Sequence, residues 1–359
     1  MQIGIVGLPY AGKSTIFSTL LKHKSGDATG GRQNAERGIV KVPDERLDKL
    51  TTLFNPKKQV HATIEYVKVA GLEGESASQG LPSQFLTNLK NTDALMVVIR
   101  NFENEFYPHP LDRIDPAADM AFINSEFLLS DLMIVEKRVE KLEKLVMKTK
   151  DEKEKRELEL LKRFQAQLEA EKALRELELS ENEAMLIKGY QFITLKPILY
   201  VVNIAEDQID RAAELEQGLK TAVPPGCSLT SLSAEIEKEI SELSEEDARA
   251  FMKELGIKEP ALHKLIRASY QLLGLISFFT VGEDECRSWT IRKGTNAQKA
   301  AGVIHSDMEK GFIRAETVHY EDLITAGSWN ACKEKGLLRL EGKEYVVQDG
   351  DIMSIRFNV

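Results

Sequence analysis

Apolar residues along the chain form short, nearly continuous runs that alternate with stretches of helical periodicity. Such runs are typical of strands covered on both faces, as in a parallel sheet. The first run ends at Gly7, and Ile16, Leu20 and Leu21 then recur at helical spacing. The predicted strands are "QIGIVG", "HATIEYVKVAG", "TDALMVVIRNF", "LKPILYVVNIAE" and "GCSLTSLSAE". This order predicts an α/β fold with a mostly parallel, doubly wound sheet.

A different pattern separates the third predicted strand from the fourth. Apolar residues alternate there in steps of four and three, and a charged turn at "KTKDEKEK" divides the pattern into two faces. The first face holds Leu128, Leu132, Val135, Val139, Leu142 and Val146, and the second holds Leu158, Leu161, Phe164 and Leu168. Two such helices joined by a short polar link predict an antiparallel coiled-coil arm. A solvated helix pair without any partner has the same sequence pattern.

The sequence pattern changes again after about Ile276, where short β-type runs alternate with glycine turns. The runs are "ISFFTVG", "RSWTIRKG", "GFIRAETVHY" and "KEYVVQDGDIMSIRFNV". One helix fits around "AQKAAGVIHSDMEKG". We expect a separate small domain with a sheet of four or five strands and a single helix.

The composition of the chain argues against several classes of function. The 359 residues carry a net charge of −9, so no dominant basic surface points to DNA or to an anionic membrane, although a local patch could still bind RNA. No apolar run approaches the ~20 residues of a membrane span. Three widely separated cysteines, Cys227, Cys286 and Cys332, form no zinc-binding or redox pair. We therefore expect a cytoplasmic protein with reduced thiols and without a membrane or specific DNA partner.

The stretch "GLPYAGKST", residues 7–15, carries the strongest chemical signal. It fits the phosphate-binding loop pattern G-x-x-x-x-G-K-[ST] and lies between a predicted strand and a predicted helix. Backbone N–H groups of such a loop enclose phosphates, and the helix N-terminus favours negative charge. Lys13 would reach the β- and γ-phosphates, and the Ser14 hydroxyl would bind Mg²⁺. The predicted binding residues here are Gly7, Tyr10, Ala11, Gly12, Lys13, Ser14 and Thr15.

The segment "NIAE", Asn203 to Glu206, is the candidate for base recognition. GTPases usually have N-K-x-D at this place, where the aspartate binds the guanine N–H groups and the lysine stem covers the ring. Here Ile204 replaces the lysine and Glu206 replaces the aspartate, so both guanine-selective elements are weakened. "SAE", Ser233, Ala234 and Glu235, would support the other side of the base.

These motifs resemble the YchF proteins, also called Obg-like ATPases, in order and spacing over essentially the whole chain. Further resembling segments are "VPDERLDKL", "SAEIE", "LIRASYQLLGLISFFTVG", "AAGVIHSDMEKGFIRAE" and "LEGKEYVVQDGDIMSIRFNV". The resemblance implies a G domain in residues 1–125 and 191–277, a coiled-coil insertion in 126–190, and a TGS-like β-grasp domain in 278–359. It also implies a preference for ATP over GTP, backbone contacts from Ile204 to adenine, and a ribosomal partner.

Two positions depart from the family on the magnesium side of the site. The D-x-x-G motif is "KVAG" here, so Lys68 replaces the carboxylate that holds a magnesium-bound water. At about 5 Å and an effective dielectric constant near 20, this charge would repel the metal by roughly 3 kcal/mol for each unit of metal charge. In the preceding loop Arg32 stands at the place of a magnesium-binding threonine, and Thr29 lies three residues earlier. The two cations could substitute for Mg²⁺, or they could point away from the site.

The sequence therefore leaves more than one function open. An ATP-preferring P-loop NTPase whose nucleotide state governs association with ribosomes or a ribosome-associated RNA–protein complex is the first hypothesis. We expect slow or absent hydrolysis by the free protein, because Leu72 stands where Ras-like GTPases keep a water-orienting glutamine, as it does in the family. A catalytically silent ATP-sensing scaffold is the second hypothesis, and a GTPase is the third. No catalytic residue is assigned, although Lys68 and Leu72 occupy the usual catalytic-loop positions.

Overall fold

The computed structural model describes residues 1–22, 35–69, 83–149 and 151–358 of the chain. The strands are β1 (Gln2–Gly7), β2 (Ala35–Lys41), β3 (Lys58–Val60), β4 (Thr63–Val69), β5 (Ala94–Asn101), β6 (Ile198–Ile204), β7 (Cys227–Leu232), β8 (Leu275–Thr280), β9 (Glu285–Arg292), β10 (Phe312–His319), β11 (Arg339–Glu341) and β12 (Asp351–Phe357). The helices are α1 (Lys13–Lys22), α2 (Glu45–Phe54), α3 (Ser83–Lys90), α4 (Pro116–Thr149), α5 (Glu152–Glu169), α6 (Glu181–Ile187), α7 (Ala212–Leu219), α8 (Ala234–Glu242), α9 (Glu245–Glu254), α10 (Ala261–Leu272), α11 (Ala297–Ile304), α12 (Ser306–Lys310), α13 (Tyr320–Ala326) and α14 (Trp329–Glu334). The chain forms two compact units, Met1–Ile39 with Glu65–Leu265 (unit 1) and Val40–Ile64 with Ile266–Val359 (unit 2).

The first sheet has the strand order β2-β4-β1-β5-β6-β7. Strand β1 pairs in parallel with β4 and β5, and the parallel ladder continues through β6 to β7. The inner strands β5 and β6 are buried almost throughout, which explains why their sequences are apolar up to Arg100 in β5 and Asn203 in β6. The predicted α/β fold with a mostly parallel sheet is confirmed, and the phosphate loop follows the carboxyl end of central strand β1.

The predicted arm consists of the helices α4 and α5. Helix α4 begins at Pro116, earlier than the heptad pattern suggested, because Met120, Ile123 and Phe127 in its first part pack into the core of the first sheet. Its later turns join α5 in a separate apolar cluster that includes Leu161 and Phe164. Since α4 ends at Thr149 and α5 begins at Glu152, the second helix must run back along the first to make these contacts.

Polar contacts connect the arm to the segment that leads back to β6. Glu157 is nearly buried and accepts a hydrogen bond from Arg138 at 2.8 Å and another from the Tyr190 hydroxyl. Burial and the neighbouring carboxylate raise the pKa of Tyr190 to about 12. Asp131 accepts hydrogen bonds from the backbone N–H groups of Ile193 and Thr194, and burial raises the pKa of its carboxyl. These buried contacts fix the return of the chain from the arm to β6.

Unit 2 contains a mixed sheet with the order β11-β10-β12-β8-β9-β3. Strands β8 and β9, β10 and β12, and β10 and β11 pair antiparallel, whereas β12 with β8 and β3 with β9 are parallel. Adjacent residues of β8 belong to different apolar clusters, Phe278 with α11 and Phe279 with α2 and α13. Because side chains of a strand alternate between faces, both faces of this sheet are covered.

Two features of unit 2 differ from the sequence prediction. A single helix was expected, but α13 and α14 follow α11 and α12; each is too short to show helical periodicity. Residues 40–64, predicted within the first part of the G domain, belong to unit 2. The physical reason is packing, because Leu47 and Leu50 of α2 are fully buried beside Phe279 and β3 extends the second sheet. No helix among the described residues is long and apolar enough to cross a membrane.

Candidate functional site

The phosphate loop joins β1 to α1, and its geometry accounts for its glycines. Gly7 has φ +148°, and a Cβ atom there would lie 2.3 Å from the Val98 carbonyl oxygen. Gly12 has φ +96°, and a Cβ atom there would lie 2.1 Å from Nδ2 of Asn203. Tyr10 adopts φ 60°, a left-handed conformation uncommon outside glycine. The backbone thus turns more tightly than side chains at Gly7 and Gly12 would allow.

Lys13 and Ser14 open helix α1 at the end of this loop. The Lys13 ammonium donates to the carbonyl oxygens of Gly7 at 2.9 Å and Leu8 at 2.6 Å, so it lies across the mouth of the loop. Ser14 is exposed at the helix N-terminus, where unpaired backbone N–H groups and the helix dipole attract anions. This arrangement suits the terminal phosphates of a nucleotide.

Asn203 connects the three predicted motifs through one buried side chain. Its Nδ2 donates to the Ala11 carbonyl oxygen at 3.0 Å, and its Oδ1 accepts from the Ala234 backbone N–H at 2.9 Å. The residue is only 4% exposed. The side-chain amide of Asn203 therefore fixes the phosphate loop against the N-terminus of α8, which Ser233 precedes.

These motifs surround one cleft with a volume of about 640 Å³. The predicted residues that line it are Tyr10, Gly12, Lys13, Ser14, Thr15, Asn203, Ile204, Glu206, Ala234 and Glu235. Gly7, Ala11 and Ser233 lie behind this lining, where Ala11 and Ser233 are buried. The structure therefore brings the two halves of the predicted site together, while the binding role of each residue stays a prediction.

The base end of the cleft differs from that of a typical GTPase. The side chain of Ile204 is 3% exposed and packs in the apolar core of the first sheet, so it cannot cover a base. Glu206 is exposed at the first position of the short 3₁₀ helix Glu206–Arg211. Only the backbone of Ile204 is therefore available at the position where a GTPase keeps its lysine stem.

One wall of the cleft was not predicted from the sequence. It is formed by residues 102–107, which we call the wall loop, and Phe102, Glu103, Asn104 and Tyr107 line the cleft. Arg100, 2% exposed, holds this loop by donating to the carbonyl oxygens of Phe102 at 2.9 Å and Tyr107 at 2.7 Å. Burial lowers the pKa of the Arg100 guanidinium. The Tyr107 ring contacts the Tyr10 ring with centroids 5.1 Å apart.

The strand order of the first sheet indicates that the wall loop lies at the cleft. The loop follows β5, which lies directly beside β1 in the sheet, so its carboxyl end meets the phosphate loop. Ligands of open α/β sheets bind outside the carboxyl ends of the strands. Ala205, inside the predicted segment Asn203 to Glu206, also lines the cleft, and Lys238 lines it without a sequence prediction.

Lys68 lies on β4, next to β1, at the position of the usual aspartate. Its ammonium is 2.8 Å from a Glu36 carboxylate oxygen and 5.8 Å from the centroid of the Phe17 ring on α1. Leu72, Thr29 and Arg32, the other residues of the predicted magnesium side, lie outside the described residues.

The described residues do not fit a complete Mg²⁺ site of this class. Ser14 supplies the hydroxyl, but an ammonium group stands where the carboxylate belongs. In the described parts of the chain, no group of three or more His, Cys, Asp or Glu residues is arranged to hold a metal. The metal-binding role of Ser14 stays a prediction, and we derive no reaction step through a metal.

A parallel sheet with a phosphate loop after β1, a buried asparagine near the end of β6 and a supporting segment directly after β7 define a P-loop NTPase with a GTPase-type G domain. A family model described as "50S ribosome-binding GTPase" matches residues 2–161, in agreement with this class. A second model, YchF-GTPase_C, described as "Protein of unknown function (DUF933)", matches residues 275–358. The chain belongs to the YchF family, because it is similar to members of that family over its full length.

The similarity to individual members is high. The "Ribosome-binding ATPase YchF" of Bacillus subtilis (strain 168) is 44% identical over 365 residues, covering 100% of both chains. The protein of the same description from Escherichia coli O157:H7 is 42% identical over 361 residues, covering 100% of this chain and 99% of that one. The solved structure of the Schizosaccharomyces pombe YchF GTPase matches with a TM-score of 0.86 at 34% identity, covering 99% of this chain and 97% of that one.

Proposed function

We propose that the chain is an ATP-preferring P-loop NTPase whose nucleotide state governs its association with ribosomes in the cytoplasm. The bacterial relatives are described as ribosome-binding ATPases, which supports both the partner and the nucleotide. The Schizosaccharomyces pombe relative is instead described as a GTPase. Since these descriptions differ, the proposed preference for ATP over GTP rests on the geometry of the cleft.

The buried side chain of Ile204 is the observation that carries the preference for ATP. Guanine selectivity needs a fixed carboxylate for the ring N–H groups, and a lysine stem usually covers the ring. Ile204 is directed into the core, and no hydrogen bond from a described residue fixes the exposed carboxylate of Glu206. A cleft built this way loses the contacts that would favour guanine, and the Ile204 backbone is free to contact an adenine edge.

The phosphate end of the cleft supports nucleotide binding for either base. Lys13 and the N-terminal N–H groups of α1 would hold the β- and γ-phosphates, and the loop backbone would enclose them. Asn203 keeps this loop in place from behind. These groups position the nucleotide, but none of them activates a water molecule, so hydrolysis by the free protein should be slow or absent.

A catalytically silent ATP-sensing scaffold is the second candidate. Lys68 favours it, because an ammonium group replaces a carboxylate that an NTPase of this class uses to organise its reaction centre. In this case ATP binding alone would change the affinity for ribosomes. A GTPase is the third candidate, and the geometry around Ile204 and Glu206 argues against it.

Sedimentation with purified ribosomes tests the proposal. We expect the co-pelleted fraction of the protein to differ between ATP and ADP, to follow ATP with a non-hydrolysable analogue, and to respond little to GTP. Lys13→Ala should lose this dependence, because it removes the cation of the phosphate loop together with its hydrogen bonds to the Gly7 and Leu8 carbonyl oxygens. An equal co-pelleted fraction in every nucleotide condition would overturn the proposed regulation.

Phosphate release measured in the same samples separates the first two candidates. Slow release that ribosomes accelerate would identify an enzyme. Nucleotide-dependent pelleting without any release, with or without ribosomes, would identify the scaffold.

A further inference from the structure

The position of Lys68 places a cation beside the phosphate loop. Lys68 pairs with Ile5 in the parallel ladder, two residues before the loop begins at Gly7. Residues of a strand rise about 3.3 Å each, so the backbone of Lys68 lies roughly one lysine side-chain length behind the loop. An extended Lys68 side chain would therefore reach a polyphosphate held in the loop, although in the structure its ammonium pairs with Glu36 and Lys68 does not line the cleft.

The direction of the side chain agrees with this placement. The Lys68 ammonium approaches the ring of Phe17 at 5.8 Å, so it lies on the face of the sheet that α1 covers. Ser14 and Phe17 are three residues apart on α1 and therefore neighbour each other on one helix face. The ammonium is accordingly directed toward the helix side that carries the Ser14 hydroxyl.

The ion pair between Lys68 and Glu36 is partly exposed to solvent. The two charged groups are 2.8 Å apart, with 20% of the Lys68 side chain and 60% of the Glu36 side chain exposed to solvent. Ion pairs with one largely exposed partner contribute little, because water and salt screen them. A nucleoside triphosphate carries several negative charges on adjacent phosphates, so it can draw the ammonium away from a single carboxylate.

We propose that this chain binds a nucleoside triphosphate without a divalent metal, with the Lys68 ammonium taking the place of the metal beside the phosphates. Glu36 is the counter-ion that Lys68 leaves when the phosphates arrive. The inference rests on the proposed function, since it concerns the same nucleotide cleft. It follows from the misfit described above, in which a metal-supporting carboxylate is replaced by a cation that has its own exchangeable partner.

Calorimetric titration of the full chain with ATP, in MgCl₂ and in EDTA, tests this proposal. We expect the Kd of the unmodified protein to change by less than about threefold when the metal is removed, because the protein supplies the cation itself. Lys68→Met keeps the aliphatic stem and removes the charge. In EDTA it should bind ATP at least about tenfold more weakly than the unmodified protein. Glu36→Gln should bind ATP somewhat more tightly in EDTA, since Lys68 no longer has a competing partner.

A charge-swapped variant controls for the structural role of the ion pair. Lys68→Glu combined with Glu36→Lys can re-form the pair but moves the cation to β2. Metal-free ATP binding should stay weak in this variant if Lys68 contacts phosphate, whereas recovery would show that only the pair matters and would overturn the proposal. Thermal unfolding verifies that each variant is folded.

The outcomes also separate this inference from the proposed function. Tight ATP binding that EDTA weakens tenfold or more in the unmodified protein would overturn metal-free binding and leave the nucleotide cleft intact. Absence of ATP binding in both buffers would overturn the proposed function itself.

Discussion

Replacing Asn203 by alanine tests the role of the residue that joins the phosphate loop to the N-terminus of α8. The variant loses two hydrogen bonds and leaves the Ala11 carbonyl and the Ala234 N–H, both in buried surroundings, without these partners. A buried polar group that loses its partner costs about 1–3 kcal/mol. Because water can enter the cleft and satisfy part of this loss, we expect the free energy of unfolding to fall by about 2–4 kcal/mol. Nucleotide affinity should fall as well.

Asn101→Ala is the matched control. Asn101 ends the neighbouring strand β5 and makes one longer, partly buried hydrogen bond to Gln208 at 3.2 Å. Its removal should lower the free energy of unfolding by no more than about 1 kcal/mol. Urea denaturation followed by far-ultraviolet circular dichroism measures both variants. Since both tryptophans, Trp289 and Trp329, belong to unit 2, tryptophan fluorescence follows that unit separately. Equal losses of stability and affinity in the two variants would refute the bracing role of Asn203.

Three further predictions concern other parts of unit 1. Gly12→Ala should abolish detectable ATP binding in calorimetry and add about 1–3 kcal/mol of backbone strain. The reason is that φ is +96° at this residue and that the new Cβ would meet the Asn203 side chain. Normal binding would contradict the loop geometry. Arg100→Met should lower the free energy of unfolding in urea by about 2–4 kcal/mol and weaken ATP binding, since the wall loop loses two charge-assisted hydrogen bonds. An unchanged ATP affinity would show that the wall loop does not contact the nucleotide. Tyr190→Phe should destabilise the chain below pH 10, and this difference from the unmodified protein should shrink as pH rises toward 12. The reason is that the folded state raises the tyrosine pKa from 10.0 to about 12 and keeps the proton on a phenol that donates to Glu157. A difference in unfolding free energy that is independent of pH would contradict this pairing.

Local chemistry made much of the fold and of the site predictable. The phosphate loop could be located because Gly7, Gly12 and Lys13 stand at spacings that its backbone geometry demands. Asn203 could be located because it stands near the end of an otherwise apolar strand, at the same edge of the sheet. Strands β5 and β6 were predictable for the same reason, as burial on both faces requires apolar residues at every position.

Other features depend on contacts between residues distant in sequence. The wall loop has no motif of its own, and its place in the cleft depends on Arg100 reaching two backbone carbonyls. Strand β3 has three residues and forms only because β9 is beside it. The direction of Lys68 also could not be read from the sequence, since it is set by Glu36 on one side and Phe17 on the other.

The proposed function depends on a preference for ATP over GTP in the cleft. Equilibrium competition measures it most directly, with a labelled ATP bound to the full chain and displaced by unlabelled ATP or GTP. Lys13→Ala serves as the binding-deficient control. We predict that ATP displaces the label at concentrations at least about tenfold lower than GTP, which corresponds to about 1.4 kcal/mol of preference. Displacement by GTP at equal or lower concentrations would contradict the account.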